Sequence, residues 1–370
     1  MVKYDRKNPF NELPLLPPSE SIMDMEILMK WGYASRALAE LNKNILRLPN
    51  PGMLVNTLSL QEARSSSEIE NIFTTEDELY KAISETVKEE NANSSVKEVL
   101  RYREAMWAGY HQISKTGKIN ERAIVKIFRE VKNTSEGFRP PQSLVVIKRG
   151  QSEFRSGEVV YTPPRGKGII ENKMKNLVSY LNDHKKFTAD PLLKMVIAHY
   201  QFEAIHPFTD GNGRTGRILN LLYLVNQKLL SHPVLYLSKY IIENKDEYYF
   251  TLGAVTQRKA WKPWILFMLE AVERTSRHSN GMIDDIVAQM ESTYLQGRSA
   301  IGWYSKEVNE LLFSQPYVKA KLIGDAVGKT SRTTITKYMN ELVGQGILSK
   351  KTDGKEVYFL NNDLLRILKT

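Results

Sequence analysis

Cysteine is absent from all 370 residues of the sequence. This absence excludes disulfide bonds and thiolate metal sites, although it does not identify a cellular compartment. An apolar run of membrane-spanning length is also missing, and residues 1–10 lack the hydrophobic region of a signal peptide. The sequence contains no internal repeat and no low-complexity segment. We therefore expect a cytoplasmic protein without a membrane partner.

The residues that are present have ordinary globular proportions, with 42% hydrophobic and 25% charged residues. A chain of 370 residues is expected to form two or three domains. Its net charge of +10 is unevenly distributed, because residues 316–370 contain ten basic and five acidic residues. A basic C-terminal segment is consistent with nucleic-acid binding, and solvated surface lysines are the simpler explanation.

The stretch His206–Arg217 concentrates the residues that could carry chemistry. Before it, Asp190 and Pro191 are typical of the N-cap and first position of a helix, and Pro207 predicts that this helix ends where the stretch begins. The apolar run 218–225 after it predicts a second buried helix. The predicted arrangement is therefore a polar loop between two helices.

The loop has the features of a phosphate site. Gly211, Asn212 and Gly213 allow backbone N–H groups to converge where the next helix presents its positive end. Arg214 and Arg217 are three positions apart on that helix. We therefore expect their side chains to share a face and to contact further phosphate oxygens.

Two further residues of the loop suit catalysis. Asp210 supplies a carboxylate of the kind that binds Mg²⁺ together with substrate phosphates. His206 has an unperturbed pKa that suits proton removal near neutral pH. A polar turn with a hydrogen-bonded histidine is the alternative, and it leaves the coincidence of all these residues unexplained.

The stretch resembles the signature of the Fic-domain family, His-Pro-Phe-x-Asp-Gly-Asn-Gly-Arg-x-x-Arg, and agrees with it at every fixed position. The resemblance implies a mostly α-helical fold with a Fic-type core and a β-hairpin flap. It also implies an enzyme that moves AMP from ATP to a Tyr, Thr or Ser hydroxyl of a target protein or of itself. ATP and Mg²⁺ would be required, with His206 as the base and Asp210 as the metal ligand. The resemblance assigns ATP binding to Gly211, Asn212, Gly213, Arg214, Thr215, Gly216 and Arg217.

Other functions stay open on the sequence. The family member that phosphorylates its target has Ala-Asn-Lys where this chain has Gly211–Gly213, which favours AMP transfer here. Transfer of UMP, phosphate or phosphocholine would need only a changed nucleotide or donor pose. A DNA-binding regulator with a nucleotide-sensing Fic core is another alternative, although binding ATP alone does not require a histidine base.

A second motif lies at Ser66–Asn71. In a helix Ser66 and Glu70 would be neighbours on one face, and a solvated helix end is the alternative interpretation. The spacing resembles the Ser-x-x-x-Glu-Asn inhibitory motif of many Fic proteins, whose glutamate pairs with the second signature arginine, here Arg217. The resemblance makes Ser66 and Glu70 autoinhibitory residues, because the paired arginine cannot receive the γ-phosphate of ATP. The same glutamate could orient a water for AMP removal.

Two short β-branched runs, 144–147 and 159–161, predict a β-hairpin. It resembles the Fic flap, which aligns the target segment by strand addition, and a hairpin that only covers the core is the alternative. Farther along, Lys239–Tyr249 resembles the family segment that closes over adenine. Asn244 and Tyr248 are the candidates for base or ribose contact there, and core packing is the alternative for Tyr248.

The C-terminal segment is similar to a winged helix-turn-helix. Helices are expected near 306–313 and 319–327, followed by a helix over 333–343 that Thr330 or Ser331 caps. A hairpin that turns at Asp353-Gly354 should follow. DNA binding and a protein-interaction module are both open. For DNA binding, phosphate contacts are expected from Arg332, Lys337, Lys350, Lys351 and Lys355.

The sequence therefore predicts four segments. A helical region that carries the inhibitory motif, 1–112, precedes the Fic catalytic core, 113–275. A helical linker, 276–304, leads to the winged-helix-like domain, 305–370. Fic relatives of this layout imply a homodimer.

Overall fold

The structure is a computed structural model that describes residues 4–22, 24–48, 51–84, 93–149, 157–328, 331–353 and 356–369. These residues form mostly α-helix together with two small antiparallel sheets, so the predicted fold class is confirmed. No helix within the described ranges is long and apolar enough to span a lipid bilayer.

The N-terminal helices are α1 Met25–Asn44, α2 Pro51–Ile69, α3 Glu76–Ser84, α4 Ser94–Thr116 and α5 Glu121–Lys132. The apolar spacing that starts at Ile22 predicts a helix from near Ser19, whereas α1 begins at Met25. The Asp24 carboxylate accepts a hydrogen bond from the Ile27 backbone N–H at 2.9 Å, and this cap begins the helix. Asn120 caps α5 in the same way, and its Oδ1 accepts the Ala123 backbone N–H at 2.9 Å.

The elements around the signature are β1 Ile147–Arg149, β2 Glu158–Tyr161, α6 Ile169–Asn182, α7 Pro191–Ile205, α8 Asn212–Asn226, α9 Leu237–Glu243, α10 Lys245–Arg258 and α11 Trp261–Ala300. The predicted hairpin is present, since β1 and β2 pair antiparallel. Its first strand begins at the last residue of the predicted run 144–147. Residues 150–156, between the strands, lie outside the described residues.

Helices α7 and α8 form the centre of the core. The Asp190 carboxylate accepts the Leu192 backbone N–H at 2.8 Å and Pro191 occupies the first turn, which confirms the predicted helix start. Nearly every side chain of α7 is buried, because α6, α8 and α11 pack around it. From α11, Trp264 Nε1 donates to the Val196 carbonyl at 2.9 Å. This packing fixes the C-terminal end of α7 against the N-terminal end of α8.

Helix α11 runs without a break through the predicted boundary between residues 275 and 276. The polar sequence predicted a linker over 276–304, but small polar side chains of this part are buried along α1. Ser276 and Ser279 are fully buried. Small side chains allow helices to approach closely, so the helix belongs to the core at this point. The division of the chain into domains stays a prediction.

The C-terminal elements are α12 Lys306–Leu312, β3 Tyr317–Val318, α13 Ala320–Ala326, α14 Arg332–Gly344, β4 Ser349–Asp353, β5 Glu356–Leu360 and α15 Asn362–Leu368. Strand order is β3-β5-β4, all antiparallel. The predicted helices and hairpin are present, whereas β3 and α15 were not predicted. Ser331 occupies the N-cap of α14 without a side-chain capping bond. Thr330, Gly354 and Lys355 lie outside the described residues.

The β4–β5 hairpin packs on α3. Lys351 Nζ lies 2.8 Å from Asp77 Oδ1, and Lys81 contacts Asp353. In addition, Gln61 Nε2 of α2 donates to the Leu368 carbonyl at 2.7 Å. One lysine that was expected to meet DNA phosphates is therefore paired with a carboxylate, and the C-terminal elements rest on α2 and α3, on either side of the Ser66–Asn71 motif.

Gly109 marks a close crossing of α4 over its neighbours. An added Cβ would lie 2.6 Å from Leu222 Cδ1 and 2.7 Å from Ile127 Cγ1, both in buried side chains. We expect Gly109→Ala to lower the free energy of unfolding by about 1–3 kcal/mol, measured by urea or thermal unfolding. Gly32→Ala in α1 is the matched control, because nothing lies within 4 Å of its Cβ. There the removal of glycine should stabilise the helix by about 0.5–1 kcal/mol. Equal effects of the two substitutions would contradict the assigned packing.

Candidate active site

His206 lies at the C-cap of α7 with φ 50° and ψ 61°. Its Nδ1 is 3.3 Å from the Glu203 carbonyl oxygen. A carbonyl only accepts, so Nδ1 carries the proton and the Nε2 lone pair is left to take another. Burial lowers the pKa of His206 to about 4, against the opposing effect of the Glu203 carbonyl. The imidazole is therefore neutral at physiological pH, as a general base requires.

The signature loop is closed by its own side chains. Asn212 Oδ1 accepts the Phe208 N–H and its Nδ2 donates to the Phe208 carbonyl, each at 2.9 Å. Thr215 Oγ1 donates to the Gly211 carbonyl at 2.8 Å, and Gly211 has a φ of 76° that favours glycine. Helix α8 begins at Asn212, so that Arg214 and Arg217 both lie on it, as predicted. The loop therefore delivers the free backbone N–H groups of the first turn to one point.

Arg217 is occupied by the second motif. Its Nη2 lies 2.7 Å from Glu70 Oε1, its Nε donates to Ser66 Oγ at 2.7 Å, and Nη2 also donates to the Ser66 carbonyl at 2.9 Å. The guanidinium is 2% exposed. A Cβ at Gly213 would clash with Glu70 Oε1, so glycine lets the carboxylate rest against the first turn of α8. The predicted pairing of Glu70 with Arg217 is present.

A turn after α2 places the glutamate. Asn71 has φ 62°, a left-handed conformation that asparagine tolerates better than most residues. Its backbone N–H donates to the Glu68 carbonyl at 3.0 Å. The chain therefore reverses at the end of α2 and directs Glu70 toward α8. The left-handed backbone at this position is thus a physical reason for asparagine in the motif.

Two charged side chains occupy positions that charged ligands would take at this site. The Glu70 carboxylate is an anion between Arg217 and the N-terminal end of α8, where phosphate oxygens would bind. The Lys132 ammonium lies 2.6 Å from Asp210 Oδ2, where a metal cation would bind. Burial would raise the pKa of Asp210, but Lys132 holds it below its usual range. The donor set thus fits one phosphate group and one divalent cation.

Within the described ranges, no group of three or more His, Asp and Glu side chains could hold a metal. Asp210 is a single carboxylate, and Mg²⁺ usually binds through one or two carboxylates together with substrate phosphates. The site thus suits Mg²⁺ that arrives with a nucleotide.

Arg214 faces a different partner from Arg217. Its guanidinium is 3% exposed and contacts Glu98 of α4. The two arginines were expected to share one face of the helix. In this structure Arg214 pairs with Glu98, whereas Arg217 pairs with Glu70. Glu98 could not be predicted as this partner, because it lies 116 positions away in an ordinary amphipathic helix.

The two predicted adenine contacts lie on either side of the start of α10. Asn244 separates α9 from α10, and its Nδ2 donates to the Tyr240 carbonyl at 2.9 Å. Tyr248 is buried, with its hydroxyl 2.9 Å from His199 Nε2 and its ring against Trp264. This position agrees with the core-packing alternative for Tyr248. The nucleotide contact of either residue stays a prediction.

Two further ionisable residues near His206, the buried Arg139 and the half-buried Glu203, were not predicted. Arg139 donates from Nε to the His206 carbonyl at 2.8 Å. Burial raises the pKa of Glu203 to about 7, while Arg217 opposes the rise. Glu203 is the one acidic residue in the apolar run of α7, and this isolation was the available signal.

Models of two known domain families match the part of the chain that contains this site. Residues 28–111 match the Fic/DOC family N-terminal domain, and residues 110–224 match the Fic/DOC family. The chain is a Fic-domain protein. Residues 289–364 match the domain described as "Protein adenylyltransferase SoFic-like, C-terminal domain".

Individual relatives are similar over parts of their length. The chain is 32% identical over 133 residues to protein adenylyltransferase fic-1 of Caenorhabditis elegans, across 36% of this chain and 23% of the relative. It is 30% identical over 191 residues to probable protein adenylyltransferase aq_aa38 of Aquifex aeolicus, across 50% of this chain and 53% of the relative. This Fic-domain chain therefore spans about half, or less, of the length of these relatives.

Solved structures share the fold. A Fic family protein from Desulfovibrio desulfuricans G20 has a TM-score of 0.56 at 21% identity, covering 93% of this chain and 98% of that one. Fic-1 from C. elegans has a TM-score of 0.51 at 20% identity, covering 67% and 70%. At these identities the likeness establishes the Fic fold of the chain.

Proposed function

We propose that this Fic-domain protein transfers AMP from ATP to a hydroxyl group of a target protein. The observation that carries the proposal is the position of His206 at the end of α7, directly before the loop whose following helix already holds the Glu70 carboxylate at Arg217 and Gly213. The relatives named as protein adenylyltransferases and the intact Gly211–Gly213 sequence support AMP as the transferred group.

The chain's own groups suffice for the proton and charge movements of this reaction. Nε2 of His206 takes the hydroxyl proton, the hydroxyl oxygen attacks the α-phosphorus, and pyrophosphate leaves. Backbone N–H groups at the start of α8 stabilise the charge that develops on the phosphate oxygens. Arg214 and Arg217 bind the β- and γ-phosphates once they leave Glu98 and Glu70.

Asp210 would hold Mg²⁺, which neutralises phosphate charge when it is bound. Without the metal, Lys132 neutralises Asp210 at 2.6 Å. Mg²⁺ at Asp210 would therefore have to displace this lysine.

The proposed resting state is autoinhibited. Glu70 occupies Arg217 with a charge-assisted hydrogen bond, and Ser66 holds the same guanidinium through two further bonds. An arginine in this state cannot bind the γ-phosphate, so ATP would bind without its α-phosphate aligned for attack. Glu70 could also orient a water for removal of AMP.

DNA binding, the winged-helix assignment and a homodimer remain predictions. Helix α14 supports nucleic-acid binding by exposing Arg332 and Lys337. Lys337 nevertheless lies 3.8 Å from Glu341, and Lys351 is paired with Asp77. These pairings reduce the positive charge that the module would offer to phosphates.

A dual-label assay tests which group is transferred. The protein with the Glu70→Gly substitution is incubated with Mg²⁺, a cell lysate and ATP labelled on either the α- or the γ-phosphate. We expect protein-bound α-label and no γ-label, because the AMP moiety retains the α-phosphate. Protein-bound γ-label alone would identify a kinase, and α-label from UTP in preference to ATP would identify UMP transfer. No transfer from any donor, with salt-sensitive duplex binding, would favour the DNA-binding regulator.

A further inference from the structure

Arg139 connects its own segment to the C-terminal end of α7 and to the residues after β2 through hydrogen bonds to main-chain carbonyls. It precedes the flap, defined here as β1 and β2, and its side chain is 2% exposed. Its backbone N–H donates to the Pro207 carbonyl at 2.9 Å and its Nε to the His206 carbonyl at 2.8 Å. Its Nη2 contacts the Pro164 carbonyl beyond β2 and the Ile205 carbonyl at 3.4 Å.

The end of α7 needs such a donor. The last carbonyls of a helix have no partner within the helix, and proline after His206 offers no N–H. His206 is left-handed at φ 50°, a conformation that costs about 1–2 kcal/mol for a residue with a Cβ. A buried cation at a helix C-terminus stabilises both the free carbonyls and the helix dipole. Among the described residues, no carboxylate forms an ion pair with Arg139, so its charge acts on this helix end.

We propose that Arg139 is a positioning residue for His206 in the AMP transfer proposed above. It holds the main chain of His206 so that the imidazole faces the phosphate site, and it joins that main chain to the end of the flap. The kinetic test of this proposal rests on the proposed AMP transfer. The structural test rests only on the hydrogen bonds between Arg139 and the end of α7.

The charge of Arg139 has a second effect, on the protonation of His206. Burial is the main cause of the low pKa of His206, and the nearby cation lowers it further. Glu70 and Asp210, the charged groups that face the imidazole from the other elements, act in the opposite direction. Removing the cation favours the protonated ring, so the pKa of His206 should rise.

The kinetic test compares Arg139→Ala, Arg139→Lys and an exposed control in the released Glu70→Gly background. Arg129→Ala is the control, since Arg129 also donates to a main-chain carbonyl, that of Glu136 at 2.8 Å, but on the surface. We expect Arg139→Ala to lower kcat by about 10- to 100-fold, with the KM for ATP changed by less than about threefold, because the phosphate groups of the site remain. The lysine variant and added guanidinium should each restore part of kcat, whereas Arg129→Ala should match the background.

The structural test does not depend on catalysis. An NMR titration of the His206 imidazole should give a higher pKa in Arg139→Gln than in the parent protein. A parallel fall in kcat and in unfolding temperature, without guanidinium rescue and with an unchanged His206 titration, would reduce Arg139 to a purely structural residue and overturn the proposal. Absence of transfer in the Glu70→Gly background would instead count against AMP transfer, and the titration would then decide on Arg139 alone.

Discussion

Glu70→Gly is expected to raise the initial rate of protein AMP labelling by about 10- to 100-fold. The substitution removes a carboxylate that lies 2.7 Å from a guanidinium of 2% exposure, which frees Arg217 for a phosphate. A hydrogen bond to a charged group contributes about 1.5–3 kcal/mol, and each 1.4 kcal/mol corresponds to a factor of ten. The rate is measured with α-labelled ATP at a fixed concentration of target lysate.

Matched variants separate this effect from a general change at the end of α2. Glu68→Gly removes a neighbouring acid that pairs with Arg64 at 3.2 Å and leaves Arg217 occupied, so it should not activate. Ser66→Ala removes one of the bonds to Arg217 and keeps the carboxylate, so a smaller increase is expected. Activation by Glu68→Gly equal to that of Glu70→Gly would show that loosening the helix end is sufficient.

His206→Ala is expected to abolish most of the released activity, with a loss of about 10²- to 10⁴-fold in kcat, because the reaction loses its general base. The exposed His111→Ala serves as the control and should keep the parent rate. ATP affinity, measured by calorimetry, should change little, since the phosphate groups of the site remain. Retained transfer in His206→Ala would remove the histidine from the mechanism.

The pH dependence follows from the same residue. A base must be neutral, and burial lowers the pKa of His206 to about 4. The rate of the Glu70→Gly protein should therefore stay level as the pH falls through 6.5, where an exposed histidine would become protonated. It should decline only as the pH approaches about 4. A half-maximal rate near pH 6.5 would show that the imidazole is solvated rather than buried.

Local signals in the sequence predicted the elements that position the site. Asp190 and Pro191 set the start of α7, and the glycines of the signature allow the turn into α8. The pairing of Glu70 with Arg217 was predicted from a motif, although the two residues are 147 positions apart. These predictions succeeded because each depends on residue types within a few positions or on a recognised pattern.

Contacts between segments that lie far apart in the chain could not be predicted from the sequence. Glu98, Lys132 and Arg139 reach the signature from α4, from the end of α5 and from the segment before β1. Each pairing depends on how helices cross, and no local pattern encodes it. The start of α1 failed for another reason, since the apolar spacing extends ahead of Asp24, whose carboxylate makes the capping bond. The burial of Ser276 and Ser279 in α11 could not be predicted either, because their small polar side chains are equally compatible with a solvated helix.

A double-mutant cycle shows whether Glu70 restrains the proposed AMP transfer through Arg217. AMP labelling is measured for the parent protein, Glu70→Gly, Arg217→Ala and the double variant. We expect the gain from Glu70→Gly to fall below about threefold once Arg217 is replaced, because the glutamate then has no arginine to withhold. The same gain in both backgrounds would show that Glu70 acts on another group and not through Arg217.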